Sequence, residues 1–122
     1  MIVAQSVLIG FFLLAGSIKM FGWIKVVFET QLQFFHRYGL NRRVMFAVGV
    51  IEVGAALLLV DALLFASVVS QIIGAGLLAV TSAGAIGCHL KYDSWKDGIA
   101  AMITLLLSLW VLWPMLEHCR LY

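Results

Sequence analysis

Four apolar runs limit what this chain can become: residues 2–21, 44–60, 63–87 and 98–116. About 20 residues cross the hydrocarbon of a bilayer, within a working range of about 17–25. Inside lipid every span must satisfy its own backbone hydrogen bonds, so all four runs are predicted to be helices. The composition agrees. The chain is 64% hydrophobic and 11% charged, where soluble domains carry about 45–50% and about 25%. The reading is an all-α integral membrane protein, one domain over residues 1–122, built as a four-transmembrane-helix antiparallel bundle. Only Asp61 and Ala62 separate the second and third runs, which predicts a tight hairpin turn at that link. The first run lacks a basic flank before it and is long for a signal-peptide core, so it is expected to be retained as a span.

The segment at 24–38 has a different pattern. On a helical wheel Ile24, Val27, Phe28, Leu32, Phe34, Phe35 and Tyr38 share one side, while Lys25, Glu29, Gln33, His36 and Arg37 share the other. That is an amphipathic helix suited to the membrane interface. It is either a connector or a lid over a pocket in the membrane. Gly39 is a stop signal after it, and Asn41 is the expected N-cap of the second span.

Charge orients the bundle. Lys25, Arg37, Arg42, Arg43, Lys91 and Lys96 lie in the loops after spans one and three, with Lys19 close by; the opposite side carries only Arg120 and the amino terminus. The positive-inside rule places loops one and three in the cytoplasm and both termini outside, as in a bacterial inner membrane. Trp23 and Trp95 then fit one aromatic belt, and Trp110 and Trp113 the other. The net charge of +2 is dispersed, with no basic run to track a phosphate backbone, so nucleic acid is not an expected partner.

Glu52 stands in the middle of the second run. A charged carboxylate at the centre of a membrane helix costs roughly 2.5–3.5 kcal/mol, so it must face the bundle interior, find a partner or take up a proton. Lys19, near the end of the first run, is the evident partner. Each span also carries a stripe of small or polar residues: Gln5, Ala15, Gly16 and Lys19; Gly49, Glu52, Ala55 and Ala56; Ser67, Gln71, Ala75, Ser82, Ala85 and His89; Ala101, Thr104 and Ser108. Such stripes mark helix–helix contacts in membranes. At about 1.5 Å rise per residue, Lys19, Glu52, Ser82, Thr104 and His89 all fall in the cytoplasmic half, where they can converge as a ligand-binding or proton-handling site. Two readings stand side by side. Lys19 and Glu52 can simply neutralise each other and fix helix register. Alternatively, with His89, they form the polar end of a cavity for an amphiphile, and a quinone carbonyl or a lipid head group suits such donors. His89 is read in turn as a cap on span three or as a donor to that head group.

Other chemistries find little support. Cys88 and Cys119 follow the third and fourth runs. A core about 30 Å thick separates their faces, while a disulfide needs Cα atoms within about 7 Å, so no bridge is expected. There is no C-x-x-C pair. His36, His89 and His118 are scattered, and no metal site is assigned; His118 and Cys119 are a weak pair at the outer face. No phosphate loop or Ser–His–Asp spacing occurs, and no catalytic residue is assigned. Asp93, Asp97, Lys91 and Lys96 read as a solvated hairpin.

Three segments resemble the DoxX-like proteins, a family of small four-helix membrane proteins. They are residues 15–22 (AGSIKMFG), 49–55 (GVIEVGA) and 83–91 (AGAIGCHLK), and their order and separation extend over essentially the whole chain. The resemblance implies a left-handed four-helix bundle, similar in plan to vitamin K epoxide reductase. This chain lacks that enzyme's paired redox cysteines, so the enzyme's chemistry does not carry over. It also implies a shared polar site at Lys19, Glu52 and His89, and a place among proteins tied to thiosulfate:quinone oxidoreduction, oxidative-stress complexes or receptor assembly.

The expectation is therefore an accessory membrane subunit that binds membrane lipid, a quinone-like amphiphile or a partner protein. A quinone-linked oxidoreductase component working with a soluble partner is the first alternative. An assembly factor or small transporter is the second, and the transporter is weakened by the lack of an inverted repeat. A homo-oligomer can form through the seam Ala79, Ala83 and Gly87, although that stripe can equally pack inside one bundle.

Overall fold

A computed structural model describes residues 2–92 and 98–121, with side chains described through Pro114. Among the described residues the protein is all-helical: α1 (Ile2–Phe21), α2 (Lys25–Arg37), α3 (Arg42–Phe65), α4 (Val68–Tyr92) and α5 (Ile99–Leu121). By length and composition α1, α3 and α4 can each cross a membrane, and Ile99–Pro114 of α5 is a shorter apolar helix. Large apolar side chains such as Val3, Leu57, Val80 and Leu106 stand outward, as a lipid-facing surface requires.

Packing follows small residues. A Cβ added to Gly16 would lie 2.9 Å from the Gly49 carbonyl oxygen, and one added to Gly49 would lie 2.8 Å from that of Gly16. The backbones of α1 and α3 therefore touch, as small residues permit in membrane helices. Gly74 does the same for α4: its added Cβ would meet the Ala55 carbonyl oxygen at 2.9 Å. The α4–α5 contact includes a polar bond, with Gln71 Nε2 donating to the Val111 carbonyl. α1 packs on α3, α3 on α4, α4 on α5, and α5 back on α1, with antiparallel neighbours throughout. The apolar core, built around Leu8, Phe12, Ala55, Leu59, Leu78 and Val111, fills the half of the bundle next to the α3–α4 turn.

The local signals around α2 hold. Gly39 takes φ +78°, the left-handed conformation that glycine adopts without steric cost. The Asn41 side chain accepts from the Val44 amide at 3.0 Å and starts α3. Arg42 then ties three elements together. Its Nη2 donates to the Met20 carbonyl at the end of α1 (2.7 Å), and its guanidinium lies over Phe28 of α2 and Phe46 of α3.

The hairpin turn lies elsewhere than the sequence suggests. Asp61 and Ala62 remain helical, and the turn falls at Ala66 and Ser67. Asp61 is accommodated within the helix because its Oδ2 accepts from Ser70 Oγ across the turn at 2.5 Å. Ala66 adopts φ 53°, a left-handed C-cap, and Ser67 Oγ accepts from the Ser70 amide to start α4. Span three is thus shifted to 68–92 from the expected 63–87, and His89 lies inside its last turn rather than beyond its end.

Two outcomes follow for stability. Gly49→Val should cost about 1–3 kcal/mol by overpacking, whereas Gly54→Ala, with open space at its Cβ position, should be close to neutral; reversible unfolding in mixed micelles compares them. Ala66→Gly should stabilise by about 0.5–1 kcal/mol, because the left-handed penalty of roughly 1–2 kcal/mol exceeds glycine's entropic cost. No gain in the same assay would mean that Ala66 is not held in that conformation.

Candidate functional site

The half of the bundle away from the α3–α4 turn is open. There the helices enclose a cavity of about 450 Å³, within the range of about 300–1,000 Å³ typical of small-molecule sites. Its wall is mainly apolar and aromatic: Phe11, Phe12, Ile51 and Val80 from the bundle, and Phe34, Phe35 and Tyr38 from α2. Lys19, Glu52, Ser82, Thr104 and His89, the five residues singled out from the sequence, all line this one cavity. Helix periodicity brings them together. Gly16 and Lys19 stand three apart on α1, and Gly49 and Glu52 three apart on α3. Because the helices run antiparallel, the two charged residues lie one turn to either side of the glycine contact, and their side chains, each leaning toward its own helix N-terminus, meet across it.

Lys19 Nζ donates to Glu52 Oε2 at 3.2 Å. Both side chains are shielded, at 12% and 4% exposure, so the pair is not a screened surface bridge. Taking two charges out of water is costly, and only a close pair with good hydrogen bonding offsets it. An ammonium carries three donors, so further N–H groups of Lys19 remain to be used beyond this bond.

Ser82 and Thr104 are 2.7 Å apart. Thr104 Oγ1 also donates to the Ala101 carbonyl. A hydroxyl has one proton to give, so Ser82 is the donor to Thr104. The pair clamps α4 to α5 and its protons are committed. Ser108 adds a back-bond to the Thr104 carbonyl.

His89 meets the end of α2. Tyr38 Oη lies 2.9 Å from His89 Nδ1, joining the end of α2 to the end of α4. When the phenol donates, the neutral imidazole carries its proton on Nε2. Phe34 sits edge-on to the same ring at 5.3 Å, and Tyr92 packs against Tyr38 at 5.5 Å. The amphipathic segment therefore forms one wall of the cavity as well as a connector.

The remaining stripe residues divide. Gln5, Gly16, Gln71, Ala75 and Ser108 are buried in the bundle. Of the proposed seam, Ala79 is buried while Ala83 and Gly87 are exposed. Trp23 is exposed at the cavity end and Trp110 and Trp113 at the opposite end. Cys88 is a free, half-buried thiol in the cavity wall; the side chain of Cys119 lies outside the described residues, as do the His118–Cys119 pair and the hairpin residues Asp93, Trp95, Lys96 and Asp97.

Two contributors were not singled out from sequence. Gln31 lines the cavity from α2, and its Oε1 is buried without a hydrogen-bond partner. Tyr38 was placed on the apolar face of α2, but its pairing with His89, 51 positions away, has no local signal.

Neither the curated proteins nor the solved structures give a match. The model of the DoxX-like family matches residues 3–112, and with nearly the whole chain covered, this integral membrane protein belongs to that family.

Proposed function

We propose that this protein is an accessory membrane subunit that binds a lipid- or quinone-like amphiphile, or presents one to a partner protein, through the Lys19–Glu52–His89 site. One observation carries this reading: all five polar candidates line a single drug-sized cavity whose remaining wall is mainly apolar and aromatic and which α2 covers. Burial next to an ion pair suits a small polar head, and the aromatic wall suits a ring or a chain. Lys19 offers N–H donors to a carbonyl or phosphate oxygen, and Glu52 holds the ammonium in place.

The reading includes four spans, with α5 as the fourth, and α2 lying at the interface. It sets the bundle in a bacterial inner membrane. Lys25, Arg37, Arg42, Arg43 and Lys91 gather at the cavity end, which supports a cytoplasmic position for that end. Both termini are then outside.

Native mass spectrometry of gently purified protein tests it, with wild type, Glu52→Gln and the double variant Lys19→Met/Glu52→Leu. Wild type should carry a small molecule that both variants lose. Glu52→Gln alone leaves Lys19 as an unpaired buried charge and should cost about 3–5 kcal/mol, whereas the apolar double variant should fold at least nearly as well as wild type. A folded double variant without ligand marks a binding site. A wild type free of ligand would make Lys19–Glu52 a structural pair only.

The Tyr38–His89 hydrogen bond favours a second reading, a quinone-linked oxidoreductase component. Here the pair passes protons to the ring oxygens of a quinone as a soluble partner supplies two electrons, giving the quinol. Reconstitution with co-purifying partner should then show quinone reduction that His89→Gln slows without unfolding the protein. Equal rates in both proteins would eliminate the proton route.

A further inference from the structure

The α3–α4 hairpin is closed at one end and open at the other. Near its turn the backbones touch, with Gly74 against the Ala55 carbonyl. Seven residues further along each helix, roughly 10 Å from that contact, Val48 of α3 and Thr81 of α4 both line the cavity. Ile51 and Val80 flank the same gap and are 43% and 73% exposed, so they face the cavity and the exterior together. Gly84 lines the cavity as well, with nothing near its Cβ position. Val80 stands near the midpoint of α4 (Val68–Tyr92), a helix long enough to cross the membrane. The exterior at that level is hydrocarbon.

Aromatic rings stand on other sides of the cavity. On α1 the rings of Phe11 and Phe12, both in the cavity wall, stand edge-to-face at 5.1 Å. At the end of the bundle Phe34, Phe35 and Tyr38 cover the cavity, and Tyr38 is bonded to His89. At the α3–α4 gap, by contrast, only Ile51, Val80 and Thr81 stand in the way, and Gly84 adds no side chain. Size points the same way. A cavity of about 450 Å³ accommodates a drug-sized group and not a whole membrane lipid, so the chain of a bound amphiphile must leave through a gap.

We propose that the gap between α3 and α4 is a lateral portal. A single-chain amphiphile enters it from the bilayer, seats its head at Lys19–Glu52, and leaves its chain between Ile51 and Val80 in the hydrocarbon. This rests on the amphiphile reading above and adds its route and the class of molecule: one chain, a small head, delivered from lipid rather than water.

Cys88, in the cavity wall, reports on access. In proteoliposomes of the Cys119→Ser protein it is the one thiol left, and a long-chain N-alkylmaleimide can be compared with a charged, membrane-impermeant maleimide. The alkyl reagent should label Cys88 faster. Val80→Trp and Gly84→Leu, at the mouth, should each slow that labelling on the order of tenfold, which is about 1.4 kcal/mol of barrier. Leu106→Trp, on the exposed face of α5 and outside the cavity wall, should leave it unchanged, and circular dichroism should show all variants equally helical. Unchanged labelling in both mouth variants, or charged reagent reacting as fast as alkyl reagent, would overturn the portal. Native mass spectrometry of the same proteins separates the two ideas. Bound amphiphile in wild type with unchanged labelling in both mouth variants overturns the portal and leaves the amphiphile reading intact, while a ligand-free wild type removes both.

Discussion

The touching backbones of α1 and α3 are the constraint on which the rest depends. With no Cβ at Gly16 or Gly49, each carbonyl lies under 3 Å from where the other's Cβ would be. Lipid offers no hydrophobic drive for helices to associate, so close van der Waals approach and interhelical polar bonds must supply it. The contact also fixes how closely Lys19 and Glu52, one turn to either side of it, approach each other. A wider spacing would leave two shielded charges without each other. The ion pair and the glycine contact are therefore one device: the first makes the second specific in register, and the second makes the first affordable in lipid.

The cavity arises from an imbalance along the bundle axis. Toward the α3–α4 turn, Leu8, Phe12, Leu59, Leu78 and Val111 fill the interior. Toward the other end the same faces carry Ala15, Ala85 and Ala101, which are too small to close it. Protein interiors are ordinarily packed as densely as organic crystals, and a void lined by alanine costs contacts on every side. α2 offsets part of that deficit by folding Phe34, Phe35 and Tyr38 over the space, and Arg42 joins the start of this helix to the ends of two others.

Much of this was legible in the residues. The apolar runs and the wheel of α2 give the order of helices, and Gly39 and Asn41 give its boundary with α3. Glu52 in an apolar run pointed to Lys19, and the two are bonded. Depth arithmetic alone gathered the five polar residues in one half of the bundle. The hairpin turn was not legible, because its signal was carried by residues with the wrong chemistry. Asp61 looks like a turn residue but finds Ser70 as a partner and stays helical. Ala66, a good helix former, takes the left-handed position that glycine or asparagine normally fills. The lid contact was hidden for another reason, since nothing local relates Tyr38 to His89. The free oxygen of Gln31 was hidden too, because Gln31 was assigned to neither face of the wheel although its spacing from Val27, Phe34 and Phe35 puts it on the apolar one.

The hydroxyl chain on the far wall has a consequence for shape recognition. Ser82 gives its proton to Thr104, and Thr104 gives its own to the Ala101 carbonyl. The Ser82–Thr104 pair therefore offers the cavity lone pairs, while Lys19 on α1 offers ammonium N–H. A planar head group held between them meets acceptors along one edge and donors along the other. Turning such a molecule over exchanges those edges and sets like against like. The cavity thus distinguishes the two edges of a head group that carries a donor on one and an acceptor on the other.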